Sequence, residues 1–162
     1  MTHDVEPLET GVWLAQLENL AANASHDEAR LVACLRRGFH LALLAPRPLR
    51  HLIGCTASEP EFENLLEHRA MLPAALSLLG TSMNYTLSHL DSAGRIEAEV
   101  WFSNECHGGG AVAPTAPLAI FRAWLDCLTA LERTTPKTDP VDPSLPALHR
   151  SQSGRRPTLT EH

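Results

Sequence analysis

The chain is predicted to form an α+β domain over residues 10–132: N-terminal helices, then a β-hairpin or small antiparallel sheet packed against a C-terminal helix. A disordered, Pro-rich tail is expected over residues 133–162. Three observations carry this reading. Up to Gly80 the apolar residues recur at spacings of three and four, the period of a helix face. From Met83 to Phe102 they alternate with polar residues around the turn-forming Asp91-Ser-Ala-Gly94, which describes two strands with one oily side. Leu118, Phe121, Leu125, Leu128 and Leu131 then return to helical spacing. Two strands alone are marginal in water, so this last helix is expected to seal their oily side.

Residues 1–9 show no periodicity and read as a loose leader. Trp13, Leu14, Leu17, Leu20, Ala21 and Ala24 share one face of a first helix ending near Asn23, with Thr10 as its N-cap. Ser25-His-Asp-Glu28 has the spacing of a capping box, in which Ser accepts a free backbone N–H and Glu reaches back to the cap. The second helix it opens carries Leu31, Val32, Cys34, Leu35, Phe39 and Ala42 inward and Arg30, Arg36 and Arg37 outward, and must stop before Pro46-Arg-Pro48. Gly38 is expected to weaken it. Residues 39–44 read as helix rather than as a buried strand, because only Phe39 is a strong strand former. Leu49 to Gly54 reads as a short helical turn. Ser58-Glu-Pro-Glu61 repeats the capping-box spacing with Pro60 in the first turn. The third helix carries Phe62, Leu65, Leu66, Arg69 and Leu72 until Pro73 kinks it or restarts it as residues 74–79, and Gly80 ends it.

In the hairpin, Met83, Tyr85, Leu87 and His89 line up with Ile96, Ala98, Val100 and Phe102 on the oily side, leaving Glu97, Glu99 and Trp101 on the other. The following stretch holds His107-Gly-Gly-Gly110 and is expected to be the most mobile part of the folded region. Thr115 can cap the last helix, Pro117 fits its first turn, and Ala119 lets Ile120 and Phe121 approach the sheet.

Composition narrows function mainly by exclusion. Nineteen acidic against thirteen basic residues leave a net charge of −6, which disfavours non-specific binding to phosphate backbones. The basic residues Arg36, Arg37, Arg47, Arg50, Arg155 and Arg156 are interspersed with acidic ones and read as ordinary surface charge. The four cysteines form no CxxC pair and the start shows no secretory pattern, so free thiols in a cytoplasmic setting are expected. No uncharged apolar run approaches the roughly 18 residues of a membrane span.

Nine histidines prompt the question of a metal centre. His51, Cys55, Cys106 and His107 could supply a mixed zinc site, but neither pair has a zinc-finger spacing, and four unrelated residues is the stronger reading. Cys106 could serve as a nucleophile only with a histidine other than its neighbour, for which His89 is the sheet candidate. The glycines come without a G-K-[ST] or G-x-G-x-x-G phrase, so they do not form a phosphate cradle. No cofactor, metal or catalytic residue is therefore assigned. The candidate partner-binding residues are Trp101 as an aromatic anchor, Glu97 and Glu99 as steering charges beside it, and His107 of the following loop.

The phrase Pro114-Thr-Ala-Pro-Leu-Ala-Ile-Phe-Arg-Ala-Trp-Leu-Asp-Cys-Leu128, directly after a strand ending in Val100-Trp-Phe102, resembles the end of the α-β-α (ABA) sandwich domains of small bacteriophage and prophage proteins. The resemblance covers about residues 70–132, and the longer N-terminal half departs from it. It implies a short sheet with an aromatic last strand, a small-residue loop and a helix, a phage or prophage origin, and no catalytic residues to carry over. The expected protein is thus a non-enzymatic phage or prophage accessory protein in the bacterial cytoplasm, a monomer or homodimer. It would bind a host protein or ribonucleoprotein complex with a basic surface, without contacting nucleic acid or membrane directly. An inhibitor of a bacterial defence system such as CRISPR is its most concrete form. The alternative is a small metal-dependent or thiol enzyme using the Cys106–Gly110 loop.

Overall fold

The helix starts show how local chemistry sets the architecture. In this computed structural model, which describes residues 6–103 and 107–134, α1 (Thr10–Asn23) starts one residue earlier than expected. Glu9, not Thr10, is its N-cap, through the backbone alone. The start of α2 (Glu28–Leu43) also differs: Asp27 is the cap, its Oδ1 accepting the Arg30 N–H at 2.9 Å, while Ser25 Oγ accepts the Asp27 N–H at 3.3 Å. A carboxylate caps as well as a serine and adds favourable charge at the positive helix end. At α3 (Glu59–Glu67) the expected reciprocal pair forms, with Glu61 Oε2 accepting from both the Ser58 N–H (2.8 Å) and its hydroxyl (2.7 Å).

The break after α3 falls earlier than Pro73. Arg69 adopts a left-handed φ of 56°, the Ala70 N–H bonds Leu65 O (2.8 Å) and the Arg69 N–H bonds Leu66 O (3.1 Å). These two bonds close α3 in a Schellman turn. α4 (Met71–Ser77) then holds Pro73 in its first turn, where a missing N–H goes unused. Gly80 follows with φ +63°, and a Cβ there would sit 2.1 Å from Gly54 O, so the chain crosses itself at two glycines. Residues 39–43 are helix, as expected, whereas Leu49 to Gly54 forms hydrogen-bonded turns without an assigned helix.

Three antiparallel strands follow in the order β1 (Met83–His89), β2 (Ile96–Phe102) and β3 (Gly108–Ala113), and α5 (Ala116–Thr134) packs on them. β3 corrects the expected mobile glycine loop. A Cβ on Gly109 would lie 2.2 Å from Cys127 N and 2.5 Å from Ala123 O, so the glycines let the α5 backbone rest directly on the strand. α5 is buried nearly all round, with Leu118, Ile120, Phe121, Trp124, Leu125 and Leu128 fully enclosed. It touches β3 and β2 as well as α4 and α1. Gly38 of α2 is a packing device more than a weakness, because a Cβ there would fall 2.8 Å from Phe121 Cε2. Around this axis, Phe39 stacks on Phe62 at 4.4 Å and the Trp13 indole donates to Leu41 O at 2.8 Å.

The sealing of the hairpin is less complete than expected. α5 covers β2 and β3, but on β1 only Met83 is buried, and Tyr85 and Leu87 remain 45% and 37% exposed. No helix among the described residues is long and apolar enough to cross a membrane. The expected disordered tail lies, from residue 135 on, outside the described residues.

Candidate functional site

Strand parity brings three of the four candidate residues together. β2 is the central strand, and its register fixes what flanks each outward side chain. Trp101 lies between Asn84 and Gly108, Glu99 between Thr86 and Gly110, and Glu97 between Ser88 and Val112. On the β3 side two of these neighbours are glycines, so no side chain rises beside Trp101 or Glu99 there. Trp101 is half-buried, Glu99 is exposed and Val112 is 40% exposed. The outer face is therefore a shallow surface: an indole at one end, two carboxylates along the centre and a valine at the far corner. Gly108, Gly110 and Val112 belong to it and were not among the sequence candidates.

His107 does not join this group. Its carbonyl accepts the Phe102 N–H at 3.3 Å, which aligns it with Phe102 of the inner row rather than with Trp101. A single residue's shift along a strand exchanges the two sides of the sheet.

Arginines on the hairpin and on the helices are engaged away from the two glutamates. Arg95, on the same hairpin, turns to Asp91, with Nη2 2.6 Å from Oδ2, and that hydrogen-bonded pairing holds the Asp91 carboxyl below the usual carboxylate range. Arg36 is held by Glu63 through two bonds of 2.7 and 2.6 Å, Arg69 faces Glu28 at 3.3 Å, and Arg37 donates to Gln16. Among the described residues neither Glu97 nor Glu99 forms an ion pair, and Glu97 accepts only a long 3.4 Å bond from Ser88 Oγ.

The thiol and metal candidates assemble nothing comparable. Cys106 lies outside the described residues. Burial pushes the Cys55 thiol up to about 12 and raises that of Cys34 as well, so both stay protonated near neutral pH. His89 pairs with Ile96, at the opposite end of β1 from Met83, which pairs with Phe102. Six residues of strand, roughly 20 Å, separate His89 from Met83 at the other end of β1. Among the described residues no three His, Cys, Asp or Glu side chains cluster as a metal site would require.

A groove of about 390 Å³ between α1, β3 and α5 is lined by Glu18, Arg122, Asp126 and Thr129 among others. Three of these are committed internally. Arg122 donates to Ala24 O at 2.7 Å, Asp126 accepts the Gly110 N–H at 3.2 Å, and the Thr129 hydroxyl bonds Leu125 O at 3.1 Å. Compared with protein-family models, curated proteins and solved structures, the chain matches none.

Proposed function

We propose that this chain is a phage or prophage accessory protein that binds a host protein or ribonucleoprotein complex through the outer face of its sheet, and that it acts by blocking a bacterial defence system such as CRISPR. The observation carrying the docking part is the combination on β2 of a half-buried Trp101 with Glu97 and Glu99, carboxylates free of internal cations among the described residues. A flat aromatic that loses its water on docking supplies binding energy, and the carboxylates beside it steer a basic partner into register. The phage context and the anti-defence role come from the resemblance over about residues 70–132 and from the acidic balance of the chain.

The experiment is plaquing of a targeted phage on a CRISPR-immune host that expresses the chain. Wild type should restore plaques, and Trp101→Ala or the pair Glu97→Lys with Glu99→Lys should abolish the rescue at unchanged expression and melting temperature. Loss of an anchor of this kind costs about 2 kcal/mol, on the order of 30-fold in affinity. Rescue that persists in both variants removes the outer face from the reading, and no rescue by wild type removes the anti-CRISPR role.

A further inference from the structure

β1 is an outer strand, and hydrogen-bond parity identifies which of its groups turn away from β2. Ser103 donates its N–H to Ser82 O and Leu90 donates to Arg95 O, both at 2.9 Å. Antiparallel ladders exchange bonds at every second pair. The even positions of β1 therefore bond to β2, and Met83, Tyr85, Leu87 and His89 point their N–H and C=O groups outward. Among the described residues no strand lies on that side. The same four residues form the inner row, where Tyr85 and Leu87 stay 45% and 37% exposed. Natural sheet edges are usually guarded by lysine, proline, a bulge or an inward charge. Met-Asn-Tyr-Thr-Leu-Ser-His contains no Asp, Glu, Lys, Arg or Pro.

We infer that this edge pairs with β1 of a second copy of the chain, antiparallel about a two-fold axis at Thr86, to form a continuous six-stranded sheet. Thr86 is the middle residue of the strand, so full overlap sets it opposite itself, Tyr85 opposite Leu87 of the second copy, and Met83 opposite His89. Every outward N–H and C=O then meets a partner, and each exposed tyrosine meets a leucine, a favourable cross-strand pair. A two-fold contact must be complementary to itself, and a neutral strand with apolar and small polar rows satisfies this.

Charge along the strand permits the same occupant. Two copies at −6 each repel, and β1 lets them meet without opposing like charges. The nearest outer carboxylate, Glu99, is one strand further in, opposite Thr86. The two Glu99 side chains would stand three strand spacings apart, about 14 Å, beyond the screening length of about 8 Å in physiological salt. The other sheet edge offers no equivalent, since Asp126 already takes the outward Gly110 N–H. The inference does not rest on the docking reading, although it would set two Trp101 faces side by side on one surface.

Light scattering across a dilution series of the full chain tests it, together with Leu87→Lys and Thr86→Cys. The expected result is twice the chain mass, halving on dilution, and the single-chain mass for Leu87→Lys at every concentration with its circular dichroism unchanged. The Thr86 pair is non-hydrogen-bonded, with Cα atoms about 4.5 Å apart, within disulfide reach. Mild oxidation should therefore join Thr86→Cys chains and leave wild type and Ser88→Cys unjoined. A chain that stays monomeric with Thr86→Cys unlinked overturns the inference, as does a dimer that survives Leu87→Lys without the Thr86→Cys link. So does a monomer that takes up an added extended peptide along β1, because the occupant would then be a foreign strand.

Discussion

The two outer strands of the sheet flank the same central strand and meet opposite treatment. β3, built from Gly108-Gly-Gly-Ala-Val-Ala113, has almost no side chains of its own, yet α5 lies against it so closely that Gly109 touches helix backbone, and Asp126 occupies its outward Gly110 N–H. β1 has the better strand formers, Tyr85, Thr86 and Leu87, and is left largely uncovered. Intrinsic strand propensity thus runs against the degree of burial. Burial here follows the path of α5, and the helix can approach only where the strand gives it room.

The largest effect should come from filling that room. Gly109→Val places a branched side chain into the Cys127 and Ala123 backbone, which cannot rotate aside. Overpacking of this kind costs upward of about 3 kcal/mol when the obstacle is rigid. Urea unfolding should show the midpoint collapse, whereas Leu87→Val on β1, measured at concentrations too low for association, should stay within about 0.5 kcal/mol of wild type. Equal losses in the two variants would erase the contrast between the strands.

A smaller change sharpens it. Asp126→Ala frees the Gly110 N–H, and losing one such bond costs about 1 kcal/mol. Its more telling consequence concerns association. With β3 opened and β1 already open, copies can add at both edges, and light scattering should show masses that grow past the dimer with concentration. If Asp126→Ala leaves the mass distribution unchanged, Asp126 does not guard that edge.

The smallest effect is electrostatic and lies away from both strands' backbones. Hydrogen bonds from Arg36 and Arg95 hold Glu63 and Asp91 below the usual carboxylate range. A carboxyl lowered by folding contributes its stability fully above the unfolded value and loses it as pH falls through the folded value. The melting temperature should therefore be level from neutrality down to the ordinary carboxylate range and fall below it. Arg36→Gln with Arg95→Gln should flatten that fall slightly, and about 1 M salt should remove the difference, since both pairs are solvent-exposed.

What could be read from the sequence follows the same division. The hairpin and its register are legible because β1 and β2 alternate side chains of opposite character, and α5 because Leu118 to Leu131 repeats at helical spacing between Thr115 and the tail. That alternation also placed Glu97, Glu99 and Trp101 on one side. β3 was not legible. A strand selected for the absence of side chains carries no alternation, and its glycines resemble those of a loop. The row that His107 occupies was not legible for that reason: without β3 there is no register by which to count it onto the Phe102 row. The helix starts at Glu9 and Asp27 and the break at Arg69 were displaced by one to four residues, because several neighbouring residues can cap and the backbone selects among them by tertiary fit.

Gly38 and Gly80 constrain this chain's descent differently. At position 38 the obstacle is the ring edge of Phe121, so a lineage that shortened the aromatic could afterwards admit alanine, and the two sites would drift as a couple. At position 80 the obstacle is the carbonyl oxygen of Gly54, which every amino acid possesses. No exchange elsewhere relieves that collision, so among any relatives position 80 should be frozen as glycine whatever position 54 becomes.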